Sequence, residues 1–239
     1  MSDASLFNEP KIALAVASDE HAASLVGFAG ALAARLGKKL VLLHAIEPVL
    51  ELPVSLVEMG PMNGLEMAVQ QEAQKSAEVW LEGLKKLVPQ SVSVESVVVF
   101  GKARSTLGQS AFACRACLLI AGAHFQSLRH AVPRGLSTAM GLMPATRVPL
   151  MLVDPSKLPP IFDGDSKILL SDDLSASSEG AVRYALELAA AIENTTVRHV
   201  YINSLDRQQL AGALASAAAA ARSPQVDEAS SEAVFVRLI

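Results

Sequence analysis

Short, mainly apolar runs alternate with longer stretches of helical periodicity, and this alternation leaves the chain few folds to adopt. Ile12–Val16, Leu40–Ile46, Val92–Phe100, Leu118–Ala121 and Val148–Val153 read as strands. Between them, His21–Leu36, Gly64–Leu87, Ala103–Ala113 and Leu136–Met143 read as helices. In the first helix Leu25, Phe28, Ala29, Leu32 and Leu36 recur at three- and four-residue steps, which places them on one face, and Gly37 is a candidate C-cap. Strands that are apolar throughout need cover on both sides. That is the condition of a parallel sheet between helical layers. The expected fold class is α/β with an open parallel sheet of five strands.

Two proline-containing stretches punctuate the order. Glu47–Asn63 holds Pro48, Pro53, Gly60 and Pro61 and reads as a loop. Asp154–Ser166 holds Pro155, Pro159, Pro160 and Gly164 and reads as a break between domains. After it the pattern restarts: a strand at Lys167–Ser171, a helix capped by Ser175 and running to Ile192, and a strand at Val197–Ile202. An alanine-rich helix at Leu210–Arg222 and a strand opening at Ala233–Ile239 complete the reading. The expected organisation is a domain over 1–154, a linker over 155–166 and a partial second copy over 167–239, a duplication with a period of about 155 residues.

Composition removes several function classes. The net charge is −4 and aromatic residues make up 4% of the chain, so neither a basic footprint nor a stacking platform for nucleic acid is expected. No run of about 18 apolar residues exists to span a membrane. Residues 1–10 lack the basic and apolar regions of a signal peptide. Two cysteines are too few for a disulfide scaffold, and a reduced, cytoplasmic protein is expected.

Leu42-Leu43-His44-Ala45, Gly101-Lys102-Ala103, Ala116-Cys117-Leu118-Leu119-Ile120-Ala121-Gly122 and Arg147-Val148-Pro149-Leu150-Met151-Leu152-Val153 stand in a telling order. With them the first unit, over Lys11–Asp154, resembles the universal stress protein family. Ile168-Leu169-Leu170-Ser171-Asp172-Asp173-Leu174-Ser175, followed by Glu179 and Arg183-Tyr184-Ala185-Leu186, resembles the start of a second copy. The resemblance implies a flavodoxin-like or Rossmann-like sheet. It also implies a homodimer through an exposed fifth strand, here Val148–Val153, where Pro149 lacks an N–H and so suits an edge.

ATP-binding members of the family carry an Asp after the first strand and G-x2-G-x9-G-[S/T] after the fourth. The glycines let backbone N–H groups approach phosphate beside a helix N-terminus. This chain departs from both. Ala17 stands at the Asp position, with Asp19 two residues on. Gly122 fits the first glycine and Phe125 replaces the second. Gly135 falls at the third with Leu136 after it; counted back from Pro149, Leu136 and Ser137 take the Gly and Ser positions. Asp173 matches the family Asp in the second unit, whose phosphate loop is expected beyond Ile239.

Three functional readings follow. The first is a non-catalytic stress-response dimer scaffold with a degenerate ATP loop and no cofactor. The second is a regulatory switch that binds a nucleotide (ATP or AMP) or another anion through a modified loop containing Ser127, Arg129, His130, Arg134 and Ser137. The third is a receiver-like phosphorylation module at Asp172-Asp173, against which Phe235–Ile239 supplies no acceptor Asp. No nucleophile–base–acid set stands out, so an enzyme is not expected. Any ligand is expected at the strand ends: Ala17, Ser18 and Asp19; His44, Ala45 and Ile46; Gly122, Ala123, His124 and Phe125; and Arg134, Gly135, Leu136 and Ser137. Cys114 and Cys117 form a C-x2-C with His124 and His130 downstream. The strand between Cys117 and His124 separates them by about 20 Å, too far for one metal. Buried structural cysteines and no metal site are expected.

Overall fold

The computed structural model describes residues 9–47, 63–123, 141–158, 166–172, 178–192 and 194–201. The chain divides into two compact units, Phe7–Ile161 and one that holds Phe162–Ile239.

In the first unit the elements run β1 (Lys11–Ala15), α1 (Ala22–Arg35), β2 (Lys39–Ile46), α2 (Asn63–Lys85), β3 (Val94–Phe100), α3 (Ala103–Ala113), β4 (Ala116–Gly122) and β5 (Leu150–Val153). The strands lie side by side as β3-β2-β1-β4-β5. Every neighbouring pair is parallel. The expected α/β sheet is present, with small shifts at the element ends. β3 starts later than Val92 because the Val92 N–H bonds the Pro89 carbonyl in a turn, at 2.9 Å. β4 extends to Ala116, and its register with β1 shifts between Lys11 and Ile12. Of the helix expected over Leu136–Met143, residues 141 and 142 are helical and residues 136–140 lie outside the described residues.

Alternation along the strands sorts the core into two layers. Ala13, Val41, Leu43, Leu119, Ala121 and Leu150 form one buried cluster with Leu107 and Ala111 of α3 and with Leu142. Ile12, Leu14, Leu40, Leu42, Leu118 and Ile120 alternate with them and are fully buried. α1 and α2 supply their cover, with Leu25, Phe28, Leu32 and Leu81 buried. Helix ends follow local chemistry. Gly37, at φ +61, ends α1, where the Lys38 N–H reaches back to the Ala33 carbonyl at 2.8 Å. α3 packs close to the chain ahead of β5: a Cβ on Gly108 would meet the Ala145 carbonyl oxygen at 3.0 Å.

One expectation about β5 is corrected. The Pro149 carbonyl accepts from the Leu119 N–H at 2.8 Å, so Pro149 faces β4. Its missing N–H therefore lies on the inner side of the strand start and does not blunt the outer edge.

The second unit holds β6 (Ser166–Asp172), α4 (Glu179–Ala191) and β7 (Thr195–Tyr201). β6 and β7 pair in parallel across the helix, the same β-α-β unit as β1-α1-β2. Ile168, Leu170 and Ala185 form its buried cluster. The expected segments Leu210–Arg222 and Ala233–Ile239 and the cap Ser175 lie outside the described residues.

Candidate functional site

The strand order reverses between β1 and β4, since the chain leaves β1 toward β2 and β3 and returns to β4 on the other side. Register pairing of Ala15 with Ala121 sets the two carboxyl ends side by side. An open parallel sheet offers its crevice at such a switch point. Ala17, Ser18 and Asp19 follow β1 and are exposed there.

Among the described residues, Asp19 and His44 at this edge make structural hydrogen bonds. The Asp19 carboxylate accepts from the His21 N–H at 3.0 Å and the Asp19 carbonyl accepts from the Ala22 N–H at 3.3 Å. Asp19 thus fixes the entry to α1, an Asx turn at a helix start. The His44 ring donates from Nδ1 to the Val16 carbonyl oxygen at 2.9 Å. Since a carbonyl can only accept, Nδ1 carries the proton. The ring also meets Trp80 of α2, edge-on, with centroids 5.1 Å apart. His44 is therefore half-buried between β1 and α2. Gly122 lies under α1: an added Cβ would meet Leu25 Cδ1 at 2.8 Å. The Ala123 N–H bonds the Val153 carbonyl at 2.8 Å and is likewise committed to the sheet.

Ala45 and Ile46 are half-buried, and the Ile46 carbonyl accepts from the Gly101 N–H at 3.0 Å. The next residue was not singled out from the sequence. Glu47 Oε1 accepts from the Ala103 N–H at 2.8 Å and so places a carboxylate at the N-terminus of α3. A separation of 56 residues hides that contact from any local pattern. Trp80 was missed for the same reason. His124, Phe125, Ser127, Arg129, His130, Arg134, Gly135, Leu136, Ser137 and Asp173 lie outside the described residues.

The cysteines sit in an environment that suppresses thiolate. Burial pushes the Cys117 thiol up to about 11, with Lys38 opposing it only in part. Burial also raises Cys114, whose Sγ donates to the Ala111 carbonyl at 3.3 Å. Among the described residues no group of three His, Cys, Asp or Glu side chains could hold a metal. In the native protein Cys117 should alkylate far more slowly at pH 7 than in urea, with its rate rising toward a midpoint near pH 11. The unfolded chain releases this proton first, from near the ordinary value of 9.0, so Cys117 withdraws stability as pH climbs from about 9 to about 11. Mass-spectrometric alkylation rates check this; equal native and denatured rates at pH 7 would contradict it.

The universal stress protein family model matches residues 10–154, which spans the whole first sheet. The chain belongs to the universal stress protein family. A family structure from Archaeoglobus fulgidus superposes with a TM-score of 0.60 at 11% identity, covering 90% of this chain and 74% of that one. A putative universal stress protein from Pseudomonas aeruginosa superposes with a TM-score of 0.53 at 14% identity, covering 90% of this chain and 69% of that one. At these identities the likeness speaks for the fold alone. A universal stress protein in complex with cAMP is similar over 62% of this chain and 98% of its own, at 16% identity and a TM-score of 0.39. No curated protein matches the chain in sequence. Among the described residues no helix is long and apolar enough to cross a membrane.

Proposed function

We propose that this universal stress protein is a non-catalytic, cytoplasmic stress-response protein that acts as a homodimeric scaffold, and that its ATP-binding loop is degenerate. One observation carries the reading. Ala17 holds the position of the family's nucleoside-binding Asp, and the nearest carboxylate, Asp19, is bonded to the start of α1. Phe125 in place of the second loop glycine points the same way. The domain over 1–154, the linker over 155–166 and the partial second copy over 167–239 belong to the same proposal. The parallel β6-α4-β7 unit supports the duplication. Dimerisation uses Val148–Val153, which contains the outer strand of the sheet.

A second reading is a nucleotide- or anion-dependent switch. It draws on the exposure of Ala17–Asp19 at the strand-order reversal, together with the basic residues that follow β4 in the sequence. Native mass spectrometry of the purified protein separates the two. The scaffold reading expects the mass of the chain or its dimer alone; co-purified ATP or AMP favours the switch.

A further inference from the structure

We propose that the edge of the first sheet where its strands begin is a docking face for a short acidic segment of a partner protein, held by a row of four cations, Lys39, Lys11, Arg115 and Arg147, beside the exposed Phe112 ring. The inference is independent of the nucleotide and dimer readings above, because this edge lies opposite the carboxyl ends of the strands.

In a parallel sheet every strand starts on the same edge, and here a cation stands at or ahead of four of the five starts. Lys39 and Lys11 are the first residues of β2 and β1 and lie in register. Lys11 is level with Ala116 of β4, which Arg115 precedes. Counted back from the pairing of Leu119 with Leu150, Arg147 reaches the same level ahead of β5. Neighbouring strands lie about 4.8 Å apart, so the row from β2 to β5 is about 14 Å long, the reach of about four residues of extended chain.

The chain answers this row only in part. Lys11 Nζ donates to Glu95 Oε2 at 2.7 Å, and Arg115 Nη2 donates to Glu9 Oε1 at 2.8 Å. The Lys11 bond holds Glu95 below the usual carboxylate range, and Lys39 and Lys85 add to it, so three ammonium groups share one carboxylate. Among the described residues Lys39 and Arg147 have no carboxylate within ion-pair reach, and both are exposed. Helix dipoles account for Arg35 and Lys85, which close α1 and α2. Lys39, Lys11 and Arg147 lead strands and have no such role.

Two observations set the class of partner. The Arg147 guanidinium lies 5.8 Å from the centroid of the Phe112 ring, which is 56% exposed. A carboxylate bound at Arg147 brings its neighbouring residue to that ring, and a protein segment has apolar side chains to place there. Charge balance is the second. With Arg35, Lys38, Lys85 and Lys86 the edge holds eight cations against Glu9, Glu82 and Glu95, a net +5; the chain carries −4, which leaves −9 elsewhere. A short acidic segment meets the edge alone, whereas a long polyanion also meets that negative remainder.

Fluorescence anisotropy on the full chain tests this. The probe is a labelled peptide of alternating Glu and Asp opened by Phe, beside its counterpart with Gln and Asn for the acids. The acidic probe should bind with a dissociation constant on the order of 10–100 μM at low salt, and the amide probe should not bind. K39E and R147E should each weaken binding about tenfold, and K39Q and R147Q about threefold. K102E, beyond the carboxyl end of β3 on the opposite edge, should change it less than about twofold. Lys39 lies three strands from β5, so its effect is separate from any pairing of outer strands. Equal losses in K102E and K39E would reduce the site to net charge, and a loss in R147E without one in K39E would dissolve the row. Stronger binding of a duplex DNA of equal charge would assign the face to nucleic acid. Any of these results, or no saturable binding up to about 0.5 mM protein, would overturn the proposal.

Discussion

Leu119→Ala should lower the stability of the first unit by about 2–5 kcal/mol, the largest single effect expected for this chain. Leu119 is fully buried in β4, in register with Ala13 on one side and Leu150 on the other. Its cluster includes Leu107 and Ala111 of α3 and Leu142. The size of the loss depends on whether the neighbours can collapse into the space. Here they cannot easily do so, because α3 is already held at the Ala145–Thr146 backbone through Gly108. A cavity should persist and the cost should fall in the upper half of the range. Urea unfolding followed by circular dichroism measures it, and a loss below about 1 kcal/mol would mean the sheet and α3 do not share this core.

His44→Ala should cost about 1–3 kcal/mol, more than a surface histidine would. The substitution removes the donor to the Val16 carbonyl and the edge contact to Trp80. Val16 is buried, so its carbonyl loses a partner that water replaces poorly. Trp80 is the one tryptophan in the sequence, so its emission should report the change directly. If His44 instead served a ligand, the variant would keep its unfolding midpoint and its Trp80 spectrum.

Much of the architecture is legible in the sequence. Leu40–Ile46 and Leu118–Ala121 are apolar at every position but one, and burial on both faces is the physical reason. Ala103–Ala113 keeps its expected bounds, opening after Gly101 and closing at Cys114, with Arg115 at φ +57. Strand ends were harder to read. Val92 is apolar yet belongs to a turn, since burial alone does not tell a strand residue from a turn residue packed beneath a helix.

The strand ends that frame the proposed site are legible in the sequence, but the bonds their side chains make are not. Ala17–Asp19, His44–Ile46 and Gly122 do gather at the carboxyl ends of the strands, as the order of elements implied. What each group does there depends on partners far away in sequence: Val16 and Trp80 for His44, Leu25 for Gly122, Ala103 for Glu47. Residue type announces a capacity for chemistry. The fold decides whether that capacity is turned to solvent or consumed by the scaffold.

Calorimetric titration of the purified full chain with ATP, and separately with AMP, tests the central claim most directly. With Ala17 lacking a carboxylate and Asp19 holding α1, no saturable heat is expected up to a ligand concentration on the order of 1 mM. A saturable isotherm at one nucleotide per chain, with micromolar affinity and a matching change in Trp80 emission, would contradict it.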